Sequence, residues 1–159
     1  MTLDSDVARL ARTRPFSLLP REAVQLIAFS CEKRLLKAGE ALFRAGEEAD
    51  AGFVVLSGAV VLAEPHARRE ATRRVTAGAL IGENALYAPV VRRHEARVAE
   101  DALVARVPRE VFRRVLSEFP DAAEKVRLAL AERTRRLVDG LDATRRRSLS
   151  ALPRVRSAP

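Results

Sequence analysis

The chain has one cysteine, two histidines and only seven aromatic residues among its 159. A lone Cys31 excludes an intramolecular disulfide and a site built on several cysteines, and it fits a reducing compartment. Its small apolar side chain belongs in a core. His66 and His94 lie far apart without metal-ligand spacing, so no metal is expected. No apolar run approaches the roughly 20 residues needed to cross a bilayer, and the opening MTLDSDVARLARTR lacks the apolar stretch of a secretory signal. The chain therefore reads as cytoplasmic, with no membrane span. No nucleophile motif is present, since Ser57 in LSGAV belongs to a turn framework, and no enzymatic activity is expected. The length suits one domain of roughly 100–200 residues and excludes a multidomain enzyme.

What remains is a globular composition, with 48% hydrophobic and 31% charged residues. The formal net charge of +8 is unevenly placed. From Arg133 onward eight arginines face only Asp139 and Asp142, whereas the body before them is nearly balanced. The run Arg145-Arg146-Arg147 could meet phosphates of RNA, DNA or lipid. A solvated helix end explains it more simply, because cations favour a helix C-terminus and no aromatic residue interleaves the run.

Six of the seven glycines (39, 46, 52, 58, 78 and 82) fall between residues 39 and 82. They divide the chain into helix, sheet and helix. Pro20 can open a helix whose Val24, Ile27 and Ala28 share one face, and a shorter amphipathic turn, Val7 to Ala11, precedes it. Short β-type runs follow, RLLKA, EALFRA, GFVVLSG and AVVLAE, separated by glycine-containing turns. REATRRVTA and DALVARV extend the pattern on either side of a non-strand insertion, Gly82 to Arg93. After Pro108, Val111, Phe112, Val115 and Leu116 form a helical stripe. Beyond Pro120 a long helix places Val126, Leu130, Leu137 and Leu141 on one face, with Thr134 interrupting it. That face packs on the sheet or pairs two copies of the chain. The final SLSALPRVRSAP has no period and reads as a loose tail.

The run KAGEALFRAGEEADAGFVVLSG (37–58), with TAGALIGE (76–83), resembles the cyclic nucleotide-binding domain family over roughly residues 14–140. The resemblance implies a mainly β fold: an antiparallel, jelly-roll-like β-roll of about eight strands with N-terminal helices and a long C-terminal helix. It places a single domain at 1–145, with the roll at about 31–107, C-terminal helices at about 109–145 and a basic flexible tail at 146–159. The family's phosphate-binding cassette, G-E-(L/M)-(A/S)-L followed by R-(S/T/A)-A, corresponds here to GENALYAPVVRRHEA (82–96). Arg92 is the ninth residue after Glu83, the spacing of the kinase regulatory subunits, which favours Arg92 over Arg93 as the cassette arginine.

The chemistry fits the residue types. A cyclic nucleotide offers a phosphodiester charge, a ribose 2′-hydroxyl and a flat apolar base. Arg92 can give two charge-assisted hydrogen bonds to phosphate oxygens, for which a guanidinium is better shaped than an ammonium. Glu83 can accept the 2′-hydroxyl proton, and Gly82 lets the sugar approach. Backbone N–H groups from Gly82 through Asn84, Ala85 and Leu86 add donors if this stretch opens a short helix. The resemblance places the base-covering lid on the C-terminal helix near Thr134, Leu137 and Val138.

Three residues depart from the family pattern. Asn84 replaces an apolar residue, Arg93 stands where a small residue touches the phosphate, and His94 takes the place of a small core-facing alanine. Arg93 either adds a second cation or blocks the pocket. No threonine accompanies Arg92, which by resemblance favours cAMP over cGMP. Only 19 residues follow Gly140, so the DNA-reading helix-turn-helix of the catabolite-activator branch is not expected. The resemblance thus implies a stand-alone sensor binding cAMP or cGMP, with a possible homodimer through the C-terminal helix and an effector protein as partners. The alternatives are a degenerate fold serving as a protein scaffold, to which Asn84, Arg93 and His94 point, and a binder of anionic surfaces through the arginine tail.

Overall fold

A computed structural model describes residues 2–63 and 72–150, the side chains of 149 and 150 excepted. At the start, α1 (Leu3–Leu10) buries Asp6, Val7 and Leu10, and a 3-10 turn (Phe16–Leu18) leads to Pro20. Pro20 precedes α2 (Arg21–Ser30), whose buried face is Ala23, Val24, Ile27 and Ala28, as the proline and the helical period predict. α1 is tied to the sheet beneath it by Arg9, which donates to the Leu56 carbonyl, and Thr13 donates to the Gly78 carbonyl at 2.9 Å.

Among the described residues eight strands follow: β1 (Glu32–Leu36), β2 (Ala41–Phe43), β3 (Glu48–Ala49), β4 (Ala51–Ala63), β5 (Arg73–Thr76), β6 (Leu80–Ile81), β7 (Val90–Val91) and β8 (Glu95–Pro108). All pairings are antiparallel. The larger sheet runs β1-β8-β4-β5, with β2 added to β8 and β6 added to β4; β3 and β7 form a separate pair. This is the antiparallel roll with flanking helices that the family resemblance implies. Its core lies between the strands, where Leu36, Phe43, Phe53, Val55, Val60, Val98 and Val104 are buried together.

Two strand boundaries differ from the sequence reading. GFVVLSG and AVVLAE are one strand, because Gly58 forms a bulge instead of a chain reversal: β4 shifts register against β8 between Val55 and Val60 and continues. β8 begins at Glu95, well before DALVARV, because Ala96 and Val98 alternate inward between charged residues. The stretch expected as a strand from Arg69 is strand only from Arg73 to Thr76; residues 69–71 lie outside the described ones.

α4 (Arg109–Glu118) follows Pro108 and buries Phe112 and Val115, and α5 (Pro120–Ser150) continues the chain. Phe112 is a packing centre: Phe16 meets it edge-on at 5.9 Å and Tyr87 at 5.8 Å between ring centroids. The chain divides into two compact units, Met1–Ala122 and Ala123–Pro159. Residues 131–148 of α5 are exposed. The loose tail expected from residue 146 is helical through Ser150. Its remainder lies outside the described residues.

Candidate functional site

The insertion between β6 and β8 is built from three pieces. Gly82 turns the chain at φ +72°, a conformation that side-chain-bearing residues rarely adopt. Glu83 enters a single helical turn, α3 (Asn84–Tyr87), and β7 then pairs with β3. The last of these is unexpected from the sequence, where the whole insertion reads as non-strand. The pairing is extended at its end by Arg92, whose N–H donates to the Glu47 carbonyl at 2.8 Å and whose carbonyl accepts from Gly46 N–H at 2.8 Å.

This backbone anchoring fixes which of the two arginines points inward. Alternation along the segment leaves Val91 and Arg93 exposed and Arg92 8% exposed. The Arg92 guanidinium donates through Nη2 to the Ala51 carbonyl at 2.6 Å. Its Cζ lies 4.2 Å from the centroid of the Phe43 ring and 5.4 Å from that of Phe53. Nη1 stands against Gly82, where a Cβ would come within 2.1 Å of it. Among the described residues no carboxylate forms an ion pair with Arg92. The nearby Asp50 is engaged by Arg106 at 2.7 Å. Burial pushes the Arg92 guanidinium below its ordinary value; the charges of Asp50 and Glu47 pull it up and that of Arg106 opposes them. An arginine so placed stays charged at neutral pH, because the delocalised guanidinium holds its proton throughout the range proteins experience.

Buried cations are normally paired with an anion. Arg92 uses Nη2 on the Ala51 carbonyl and sets Nη1 against Gly82 at the start of the cassette, a placement that suits an external anion as its counter-charge. The half-buried Glu83 accepts a hydrogen bond from the Tyr87 hydroxyl at 2.9 Å, four residues along the same turn. Asn84 and Arg93 are exposed and His94 is half-buried. Ala85 and Leu86 are fully buried. Their N–H groups, expected as donors to a ligand, instead close the α3 turn, Ala85 on the Gly82 carbonyl at 3.1 Å and Leu86 on that of Glu83 at 2.9 Å. Thr134 and Leu137 lie in the second unit. Leu137 is 62% exposed, and the exposed Thr134 donates its hydroxyl to the Leu130 carbonyl at 3.0 Å. Among the described residues no group of acidic, histidine or cysteine side chains is placed to hold a metal, and no helix is long and apolar enough to cross a membrane.

Four residues around the site escape the sequence reading. Tyr87 has a local signal, its i+4 spacing from Glu83. Phe43 and Phe53 have only the scarcity of aromatics in this chain. Arg109 carries no local signal of a role at the site, yet its guanidinium donates to the carbonyls of Ala49 (2.9 Å), Ala88 (3.0 Å) and Ala85 (3.3 Å), tying α3 to β3 and the start of α4. Arg109→Ala leaves these carbonyls without that donor and is expected to cost about 1–3 kcal/mol. A thermal melt checks it; an unchanged midpoint would remove Arg109 from the support of the cassette.

With this geometry in view, the comparisons are decisive. The family described as the cyclic nucleotide-binding domain matches residues 33–119. The chain belongs to that family. A solved cyclic nucleotide-binding-like protein from Brucella abortus is 34% identical, with a TM-score of 0.63, over 72% of this chain and 99% of that one. The N-terminal domain of a transcriptional regulator from Streptomyces coelicolor is 25% identical, with a TM-score of 0.73, over 84% of this chain and 94% of that one. Among curated proteins, lysophospholipase NTE1 of Chaetomium globosum is 30% identical over 127 residues, 77% of this chain. This chain spans about 8% of the length of that relative.

Proposed function

We propose that the chain is a regulatory sensor of cyclic nucleotides, with cAMP preferred over cGMP and no catalytic activity of its own. The observation that carries this reading is Arg92: a buried guanidinium without a carboxylate partner among the described residues, lying against a glycine at the position of the family's cassette arginine. Its unused N–H groups receive the exocyclic phosphate oxygens. Glu83, oriented by Tyr87, receives the ribose 2′-hydroxyl, and Gly82 leaves room for the sugar. Asn84, Ala85 and Leu86 form the turn that shapes the cassette, and exposed Arg93 supplies a second positive charge at its rim. Thr134 and Leu137 on α5 cover the base when ligand is bound. Signalling is a population shift, whose size is set by the ligand's differential affinity for the two states.

Ligand-dependent thermal stability tests the reading. A ligand that binds only the folded state stabilises it by about 2.7 kcal/mol at 100 times its Kd. cAMP is expected to raise the unfolding midpoint more than cGMP, and 2′-deoxy-cAMP less than cAMP because it gives Glu83 nothing to accept. Equal midpoints with all three and with none would refute a nucleotide sensor and leave a scaffold. Truncation before Ala131 removes Thr134 and Leu137 and is expected to weaken cAMP binding. Unchanged affinity after truncation would take α5 out of the mechanism.

A further inference from the structure

We propose that Phe43 and Phe53 are positioning residues of the anion site: their ring faces hold the Arg92 guanidinium in the interior while leaving its in-plane N–H groups for a phosphate. The proposal deepens the reading of Arg92 as the phosphate contact and rests on it. A buried guanidinium needs compensation for its lost hydration. A carboxylate would supply it, but would also occupy the donors and cancel the charge that an anionic ligand must meet. An aromatic face does neither. Its quadrupole attracts the cation from above the plane and leaves the edge of the guanidinium open.

The geometry here is of that kind. The two rings lie 5.8 Å apart at 33° to each other, and the guanidinium carbon sits 4.2 Å from one centroid and 5.4 Å from the other. Both phenylalanines are core residues, 8% and 4% exposed, on β2 and β4, so the platform is as rigid as the roll itself. The Ala51 carbonyl adds an anchor on Nη2. With the guanidinium over the Phe43 ring, Phe53 beside it and Nη2 anchored on the Ala51 carbonyl, little rotamer freedom remains to be lost when an anion binds. In a chain with six phenylalanines and no tryptophan, two of the six lie beside one arginine.

A double-mutant cycle on the full chain tests this. Calorimetric titration with cAMP compares the wild type, Phe43→Leu, Arg92→Ala and the double variant, with Phe53→Leu as a second probe in case the first loses its fold. Each leucine keeps the apolar contact and removes the ring. Phe43→Leu is expected to weaken binding roughly 2- to 30-fold when Arg92 is present and to change nothing when Arg92 is absent. The 1H–15N spectrum of the arginine Nε–H groups gives an independent signature. The Arg92 resonance, assigned by its disappearance in Arg92→Lys, is expected upfield of the other arginines and displaced toward them in either leucine variant. Equal weakening by Phe43→Leu in both backgrounds, or an Arg92 resonance indifferent to both leucine variants, would overturn the platform while leaving the site reading intact. A wild-type protein that binds neither cAMP nor cGMP would overturn the site reading and this proposal with it.

Discussion

Arg92→Ala is expected to weaken cAMP binding by roughly 10- to 150-fold, because a charge-assisted hydrogen bond contributes about 1.5–3 kcal/mol and each 1.4 kcal/mol is tenfold in affinity. The fold is expected to survive the change. Arg92 has no carboxylate partner among the described residues, so its removal strands no buried charge; the Ala51 carbonyl alone loses a donor. That bond has a charged donor, so its loss is about 1.5–3 kcal/mol, and the contacts with Phe43 and Phe53 go with it. A large affinity change with a melting midpoint lowered only to that extent would therefore assign Arg92 to ligand. A collapse of the midpoint with no nucleotide effect would instead make it a structural cation.

The second large effect is on stability. Gly58 has φ +80°, and a Cβ there would lie 2.2 Å from the Asp101 carbonyl oxygen and 2.7 Å from the Ala102 Cα, both backbone atoms of β8. Gly58→Ala thus combines a left-handed conformation, about 1–2 kcal/mol, with overpacking against a strand that cannot retreat, about 1–3 kcal/mol. The sum, about 2–5 kcal/mol, corresponds to a midpoint lowered by roughly 5–20 °C. Gly78 supplies the control. Its φ is +92° but no atom lies within 4 Å of its added Cβ, so Gly78→Ala is expected to show only the conformational part. Equal effects at the two positions would mean that the bulge in β4 is not held against β8.

The helix starts were legible because proline marks them: Pro20 and Pro108 stand at the N-termini of α2 and α4, and the buried faces match the apolar periods read from the chain. The roll was legible from its glycines, yet their role was not uniform. Gly58 carries a positive φ like Gly39 and Gly46, but bulges a continuous strand, a distinction that depends on the partner strand and has no local sequence mark. The helical extent of α5 through Ser150 was hidden because the arginine run and the serines that follow it have no apolar period. At the site, cassette spacing favours Arg92 over Arg93, and of the two Arg92 is the one with a buried side chain. Its surroundings were not readable. Phe43, Ala51 and Phe53 reach Arg92 across 39 to 49 positions of chain, and Arg109 grips α3 from a different element; such contacts exist only once the roll has closed.

The most direct test of the account is a calorimetric titration of the wild-type chain with cAMP and with cGMP under identical salt, with Arg92→Ala and Glu83→Ala as controls. The account predicts saturable binding of cAMP, weaker binding of cGMP, and loss of affinity in both variants. No heat and no thermal stabilisation at millimolar concentrations of either nucleotide would contradict it.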